Sequence, residues 1–266
     1  IQPVYGLSGE LLTDDFPEDH FHHHGIFWTW PHVKIDGDDT EYDLWWGRGV
    51  VQKFERWLCR DAGPVCAVLG VENGWYVGDR KVMTERVWVT TFAASEEVTA
   101  PDGTPLPDSP AGRAIELELA FTPVDRAIYL EGAAGKSYGG LTIRFKPETD
   151  AESKKTTKIT VPDGVASQDL PDTPLPWADF TTQFAGMEHP SGGAIFVPKS
   201  HPDFPPTWLT RHYGPLCIGW PGVQGRSFEP GKPFGLDYRV WIHRDAVSTD
   251  DLESAYHAYT GEATWE

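Results

Sequence analysis

Alternation of apolar and polar residues with a period of two is the feature that most constrains how this chain can fold. In the stretch AIELELAF, Ile115, Leu117, Leu119 and Phe121 fall on one side, and the glutamates with an alanine fall on the other. This pattern is typical of a half-buried β-strand, because a helix would repeat every 3.6 residues. The stretch therefore predicts a strand with one face in a core.

Strand-like stretches of this kind recur along the whole chain, separated by turn sequences such as DAGP, NG and VGDR. They cover residues 49–60, 65–76, 80–94, 113–124, 127–135, 139–146, 158–164, 180–186, 193–199, 213–220 and 234–244. Only residues 248–261 predict a helix, with Ser248 or Thr249 as the N-cap and Gly261 at the end. We therefore predict an all-β fold, a single large antiparallel β-sandwich domain over residues 1–266 with one C-terminal helix and a turn-rich insertion at 99–112.

The charge of the chain restricts its partners. Forty acidic residues against 22 basic ones give a net charge of −18, which disfavours nucleic acids and anionic membrane surfaces. No apolar run is long enough for a transmembrane helix. We expect a neutral or weakly charged ligand and no membrane insertion, and the 12 tryptophans offer flat surfaces on which a sugar could stack.

The three cysteines leave the redox state open. Cys59 and Cys66 flank the turn-like sequence RDAGPV, and a turn about Ala62 and Gly63 would set them opposite each other. A cross-strand disulfide and two free thiols are both compatible with this spacing. Cysteine usage therefore does not separate a periplasmic or secreted protein from a cytoplasmic one.

The stretch EDHFHHHGIFW, residues 18–28, places four of the ten histidines within five positions. In an extended chain His20, His22 and His24 would share one face and His23 would take the other. Three interpretations stay open: acid–base or sugar-binding residues, metal ligands with His20 and His22 joined by a third group, and rings that bond to backbone at the turn before Gly25.

Two further stretches carry candidate binding residues. In YGGLTIRF, Leu141, Ile143 and Phe145 would face the core, whereas Thr142, Arg144 and Lys146 would take the other face. Arg144 there suits sugar oxygens or a carboxylate, or it pairs with a neighbouring strand. The stretch PTWLTRHYGPLCIGWPG gathers Trp208, Arg211, His212 and Tyr213 before a glycine, and either some of these line a pocket or they close a loop.

Several classes of enzyme lack their signatures here. The chain has no GxSxG nucleophile elbow, no phosphate-binding glycine loop, no HExxH zinc motif and no dinucleotide fingerprint. Carboxylates are too numerous for the sequence to select a catalytic pair.

The opening PVYGLSGELLTDDFPEDHFHHHGIFW resembles that of the PmoA-like family, and the likeness continues in YDLWWG, YGGLTIRF, PWADFTTQF, GGAIFVPKSHPDFPPTWLTRHYG and FEPGKPFGLDYRVWIH. One departure is His24, which stands where the family usually has arginine before the glycine. The name refers to a membrane methane mono-oxygenase subunit and does not suit a chain without spanning segments. The resemblance implies a β-sandwich similar to the galactose-mutarotase-like supersandwiches, whose members bind carbohydrates and include epimerases, lyases and glycosidases.

We therefore expect a carbohydrate-active hydrolase, lyase or epimerase that uses acid–base chemistry. The expected catalytic residues are His20, His22, His23 and Tyr213. The expected substrate-binding residues are His24, Trp28, Trp46, Tyr138, Arg144, Trp208, Arg211 and His212. The alternatives are a non-catalytic carbohydrate-binding protein and a metal-dependent enzyme with a divalent ion on His20 and His22; otherwise no cofactor is expected.

Overall fold

A computed structural model describes residues 1–95, 111–148, 150 and 155–261. Within these ranges the strands are β1 (Ile26–Thr29), β2 (His32–Ile35), β3 (Glu41–Tyr42), β4 (Val51–Ala62), β5 (Cys66–Val77), β6 (Arg80–Phe92), β7 (Gly112–Pro123), β8 (Ile128–Glu131), β9 (Gly140–Arg144), β10 (Lys158–Val161), β11 (Gly164–Val165), β12 (Thr173–Pro174), β13 (Trp177–Thr182), β14 (Ser191–Phe196), β15 (Thr207–Thr210), β16 (Pro215–Gly219), β17 (Arg226–Phe228) and β18 (Phe234–Arg244). A 3-10 turn spans Gly222–Gln224, and helix α1 spans Thr249–Thr260.

The described strands form three antiparallel sheets. The largest has the order β11-β10-β13-β14-β18-β7-β6-β5-β4, the second β1-β9-β16-β15-β12, and the third β17-β8-β2-β3. Side chains from all three sheets meet in one apolar core, among them Leu119 of the large sheet, Ile143 of the second and Leu130 of the third. The predicted all-β sandwich is therefore confirmed, with the two smaller sheets packed against the large one.

Period-two alternation accounts for how the large sheet builds this core. Ile115, Leu117, Leu119 and Phe121 of β7 are all buried in it, as the sequence pattern predicted. On β18, Val240 and Ile242 also face the core. The alternate residue Trp241 joins a second cluster on the opposite face of the sheet.

Helix α1 covers that opposite face. Leu252 and Tyr256 pack against Trp177, Phe196 and Trp241 of strands β13, β14 and β18. Ser248 caps the helix in a capping box with Asp251, and Gly261 ends it in the left-handed conformation. The predicted helix, with both its ends, is confirmed.

A buried ion pair joins two strands of the large sheet. Nε2 of His243 on β18 lies 2.9 Å from Oδ1 of Asp179 on β13, and both side chains are fully buried. Strand β14 runs between them, and its Gly192 pairs with His243. A Cβ at Gly192 would lie 2.9 Å from His243 Nε2 and 2.2 Å from the carbonyl oxygen of Phe180. The pair can therefore form only because this position has no side chain.

The cysteine geometry corrects one expectation. In the β4–β5 hairpin Ala62 pairs with Ala67 and Cys59 pairs with Gly70, and two register shifts interrupt β4. Cys66 therefore does not face Cys59, and both cysteines are free thiols. Most of the insertion expected at 99–112 lies outside the described residues. No helix in the described part of the chain is long and apolar enough to span a membrane.

Candidate active site

The outer face of the second sheet carries the candidate site. On β9, Leu141 and Ile143 point into the main core together with the following Phe145, whereas the alternate residue Arg144 is buried on the other side. The same alternation on the neighbouring strands turns Phe27, Leu209 and Cys217 outward, where they form a separate apolar cluster with Trp45. The predicted split of YGGLTIRF into a core face and an outer face is confirmed.

The histidine segment lies over this outer face, and it is not extended. The backbone N–H of His20 donates to the carbonyl of Pro17, and that of His23 donates to the carbonyl of His20, so two turns follow one another. The expectation that His23 would face away from His20 and His22 is therefore wrong. The turns bring these three imidazoles together and direct His24 elsewhere.

The three imidazoles pack directly on one another. The rings of His20 and His23 stack at 4.8 Å between centroids, and the ring of His22 stands edge-on to His23 at 4.6 Å. Tyr213 stacks on His20 at 5.4 Å, and Trp46 lies 3.9 Å from His22. The cluster is thus held between an aromatic ring from the β15–β16 turn and an indole from the loop after β3.

Asp19 connects His20 to Arg144. Nη2 of Arg144 donates to both carboxylate oxygens of Asp19, at 2.9 and 3.0 Å. Nδ1 of His20 lies 2.9 Å from the same carboxylate, although the angle is not that of a hydrogen bond. Partial burial opposes ionisation, but the contacts with His20 and Arg144 outweigh it and lower the pKa of Asp19. Asp19 is therefore an anion placed beside His20.

Burial without a partner makes the other two imidazoles neutral. His22 is 9% exposed and His23 is 3% exposed, and Nδ1 of each is buried with no hydrogen-bond partner among the described residues. Desolvation, reinforced by the neighbouring imidazoles, lowers the pKa of His22 to about 4 and that of His23 to about 3. Both rings are uncharged at neutral pH, and their buried Nδ1 atoms are left unsatisfied.

A cavity of about 190 Å³ opens beside these rings. It is lined by His20, His22, His23, Trp45, Trp46, Lys136, Tyr138, Leu209, Arg211, Tyr213, Pro215 and Cys217. None of these lining residues is an aspartate or a glutamate. Burial raises the pKa of Cys217 to about 12, so this thiol stays protonated and is a poor nucleophile.

A larger cavity of about 790 Å³ adjoins the first across Tyr213, which lines both. Its wall includes Asp19, Arg144, Lys146 and His212. The Arg144 guanidinium lies 4.8 Å from the Tyr213 ring centroid, and its Nε and Nη1 have no described partner. Burial raises the pKa of Tyr213, which is therefore a protonated phenol between the two cavities.

Most of the expected site residues meet at these two cavities. Beside the smaller one lie all four expected catalytic residues, with the expected binding residues Trp46, Tyr138 and Arg211. Arg144 and His212 line the larger one. His212 is held there by Asp169, whose carboxylate lies 2.8 Å from His212 Nδ1 and 3.1 Å from Arg211 Nη1.

Three expected binding residues lie elsewhere. Trp208 is fully buried in the main core and donates from Nε1 to the carbonyl of Leu175, so it cannot stack on a ligand. Trp28 packs against the same core and lines neither cavity. His24 pairs with Asp15 at 2.9 Å and packs on Phe16, outside both cavity walls. The sequence around Trp28 and Trp208 did not show whether these indoles lie in the core or in a groove.

Sequence reasoning missed Lys136, Trp45 and the link from Asp19 to Arg144. Lys136 and Tyr138 lie in the loop between β8 and β9. The glycine pair that follows, at the start of β9, lets the backbone lie close to strand β16, because a Cβ at Gly140 would lie 2.6 Å from the carbonyl oxygen of Ile218. The glycine pair in YGGLTIRF was the available signal for this close approach. Nothing in the sequence distinguished Lys136 from other lysines.

The metal interpretation finds no ligand set in the described part of the chain. No three His, Cys, Asp or Glu side chains converge there so that they could hold a metal ion. His20 and His22 would need a third ligand. The remaining cavity wall offers His23 and Cys217 as ligand types, but no three of these described side chains are arranged to hold an ion. These residues therefore do not fit a structural or catalytic zinc site.

Comparison with known proteins places the chain in a family. No curated protein matches it. The sequence pattern of DUF6807, a family of unknown function, matches residues 1–257. That span contains every described strand and all residues of both cavity walls. The protein therefore belongs to the DUF6807 family.

Proposed function

We propose that this protein is a carbohydrate-active enzyme in which histidine side chains transfer protons. The observation that carries the proposal is the convergence of His20, His22 and His23 on one cavity that is flanked by aromatic rings. Buried imidazoles with unpartnered nitrogens are costly to a fold, so their collection at a cavity favours a role towards a ligand.

His20 is the proposed proton-transferring residue. Its Nδ1 lies against the Asp19 carboxylate, which Arg144 fixes in place. The negative charge of this carboxylate stabilises the positive charge that the His20 ring gains when it accepts a proton. His22 and His23 stay neutral and are weaker bases than an ordinary imidazole. We assign them to hydrogen bonds with hydroxyl groups of the sugar.

Aromatic side chains supply the proposed sugar platform. Trp46 is 40% exposed at the mouth of the cavity, and indoles offer a flat surface to the C–H faces of sugar rings. Tyr138 and Tyr213 complete the wall, and burial raises the pKa of both, so each can donate a hydrogen bond from its hydroxyl.

The test is a panel of glycosides and 3-oxo-glycosides, assayed for turnover and for ligand-induced shifts in melting temperature. On a substrate found in this way, we expect His20→Asn to lower kcat by about 10²–10⁴-fold and to retain the thermal shift. The matched control is His32→Asn, because Nδ1 of His32 also contacts a carboxylate, at 2.6 Å from Glu41, but lies outside the cavity wall.

A non-catalytic carbohydrate-binding protein is the second candidate, and the low basicity of His22 and His23 favours it. Binding across the panel without turnover, or a loss of affinity alone in His20→Asn, would overturn the enzyme proposal. Metal analysis of protein prepared without an affinity tag addresses the metal-dependent alternative. Activity that needs a stoichiometric bound ion would establish that alternative instead.

A further inference from the structure

We infer that the sugar is acidic, and that Lys136 and Arg211 bind its carboxylate. This inference rests on the proposed function and specifies its substrate class. It also revises the sequence-based expectation of a neutral or weakly charged ligand.

The charge of the cavity wall is opposite to that of the whole chain. The chain has 40 acidic and 22 basic residues, yet the 12 residues around the smaller cavity include Lys136 and Arg211 and no aspartate or glutamate. A low-dielectric wall with one sign of charge concentrates a ligand of the other sign. In a chain this acidic, the local reversal favours an anionic ligand.

Lys136 has the least compensated charge in this wall. Arg211 in the same wall is paired with Asp169 at 3.1 Å, and Arg144 in the adjoining wall is paired with Asp19 at 2.9 Å. Lys136 is exposed in the β8–β9 loop and has no ion-pair partner among the described residues. A ligand carboxylate would therefore find one unpaired ammonium and one guanidinium that keeps further donors available.

The size of the cavity limits the ligand that it can enclose. A volume of about 190 Å³ is below the roughly 300–1,000 Å³ of pockets for drug-sized ligands. It suits a single sugar ring. The adjoining 790 Å³ cavity has four carboxylates in its wall against Arg144 and Lys146, so it suits an uncharged remainder of a longer substrate.

An acidic sugar also fits the catalytic groups that are present. Hydrolysis by the usual route needs two carboxylic groups beside the glycosidic bond. The wall of the smaller cavity contains none, and of the four carboxylates in the adjoining wall, those of Asp14 and Asp19 are paired with Lys146 and Arg144. A uronate instead offers a proton on the ring carbon next to its carboxylate, and bound cations make this proton easier to remove by stabilising the resulting anion. In the reaction we infer, His20 removes that proton, and the electron pair forms a carbon–carbon double bond.

The bond from the adjacent carbon to the glycosidic oxygen then breaks, and that oxygen takes a proton from Tyr213. The products are an unsaturated uronate and an alcohol, which together contain all the atoms of the substrate. His20 returns its proton to Tyr213 through solvent. No oxidant or reductant is needed.

Binding measurements with simple sugars test the substrate class. Glucuronate and galacturonate are compared with glucose and galactose by calorimetry, and 4-O-linked uronide disaccharides are followed by the ultraviolet absorbance of the conjugated product. We expect the uronates to bind at least tenfold more tightly than the neutral sugars. Lys136→Gln should weaken uronate binding about tenfold and leave neutral sugars unchanged. The control is Lys34→Gln, a lysine paired with Glu41 away from the cavity.

The outcomes separate this inference from the proposed function. Equal or tighter binding of neutral sugars, or turnover of neutral glycosides alone, overturns the acidic substrate and leaves a carbohydrate-active enzyme. Uronate binding that depends on Lys136 but gives no product supports the acidic ligand and overturns the elimination step. Neither binding nor turnover of either class overturns both.

Discussion

Two groups of buried histidines in this protein have opposite electrostatics. His243 lies inside the large sheet with both ring nitrogens engaged, Nε2 by Asp179 at 2.9 Å and Nδ1 by the carbonyl oxygen of Asp245 at 3.0 Å. His22 and His23 lie on the outer face of the second sheet with their Nδ1 atoms unpartnered. All three side chains are buried, at most 9% exposed, so burial alone cannot explain the difference.

The presence of an anion decides the direction of each pKa shift. Burial by itself would lower the pKa of His243, but the charge and hydrogen bond of Asp179 overcome it and raise that pKa. His22 and His23 have no such bonded carboxylate, so desolvation prevails and their pKa values fall to about 4 and 3. The His243–Asp179 pair joins β18 to β13 across β14. His22 and His23 are neutral rings beside a cavity, and their Nδ1 atoms have no hydrogen-bond partner among the described residues.

The largest effect is expected from breaking the buried pair. Asp179→Asn keeps the size of the side chain and removes its charge, which leaves a buried imidazolium without a counter-charge or forces it to lose its proton. We expect the free energy of unfolding to fall by about 3–5 kcal/mol, measured by urea denaturation at pH 6.

The control for this variant is Asp15→Asn. Asp15 also lies 2.9 Å from a histidine Nδ1, that of His24, but this pair is exposed, so its loss should cost less than about 1 kcal/mol. Equal losses in the two variants would show that burial does not set the strength of the Asp179–His243 pair.

The pH dependence of stability should also separate the two groups. His22 and His23 have lowered pKa values in the folded protein, so the unfolded chain binds protons more readily below pH 6.5, and stability falls as the pH falls towards 4. For His23 this loss is about 2 kcal/mol between pH 7 and pH 5. His243 has a raised pKa, so its contribution is complete below pH 6.5 and is lost as the pH rises through the folded value.

Urea denaturation of the wild type and of variants across this pH range measures the loss of stability at low pH (the acid limb) and the loss at high pH. His23→Leu should flatten the acid limb, and Asp179→Asn should remove the alkaline loss that His243 causes. An acid limb that is the same in His23→Leu and the wild type would contradict the neutral state assigned to His23.

The sequence was sufficient for the fold class, for the faces of several strands and for part of the site. Alternation in AIELELAF and YGGLTIRF fixed which residues of β7 and β9 face the core, because every second residue of a buried strand must be apolar. Ser248 and Gly261 fixed the ends of α1, because capping depends on local chemistry. These features are determined by neighbours along the chain.

The rest of the site depends on contacts that are distant along the chain. The segment EDHFHHH contains no glycine or asparagine to mark its second turn, so its extended interpretation failed. Asp19 acquires its role from Arg144, and Lys136 acquires its role from the loop that places it beside the imidazoles. Trp46 and Trp208 look alike in sequence, and only the fold separates the exposed indole from the buried one.

The smallest expected effect is also the most informative about the cavity group. His23→Leu removes a buried nitrogen that has no hydrogen-bond partner and keeps an apolar side chain between Phe27 and Trp45, which now contact the His23 ring. Because an unsatisfied polar group costs free energy, we expect the variant at pH 7 to be as stable as the wild type or more stable by about 1 kcal/mol, while sugar binding weakens. Denaturation and calorimetry on the same sample measure both. A loss of stability above about 1 kcal/mol would mean that His23 stabilises the fold in the way that His243 does, and the contrast between a locking group and a ligand-facing group would not stand.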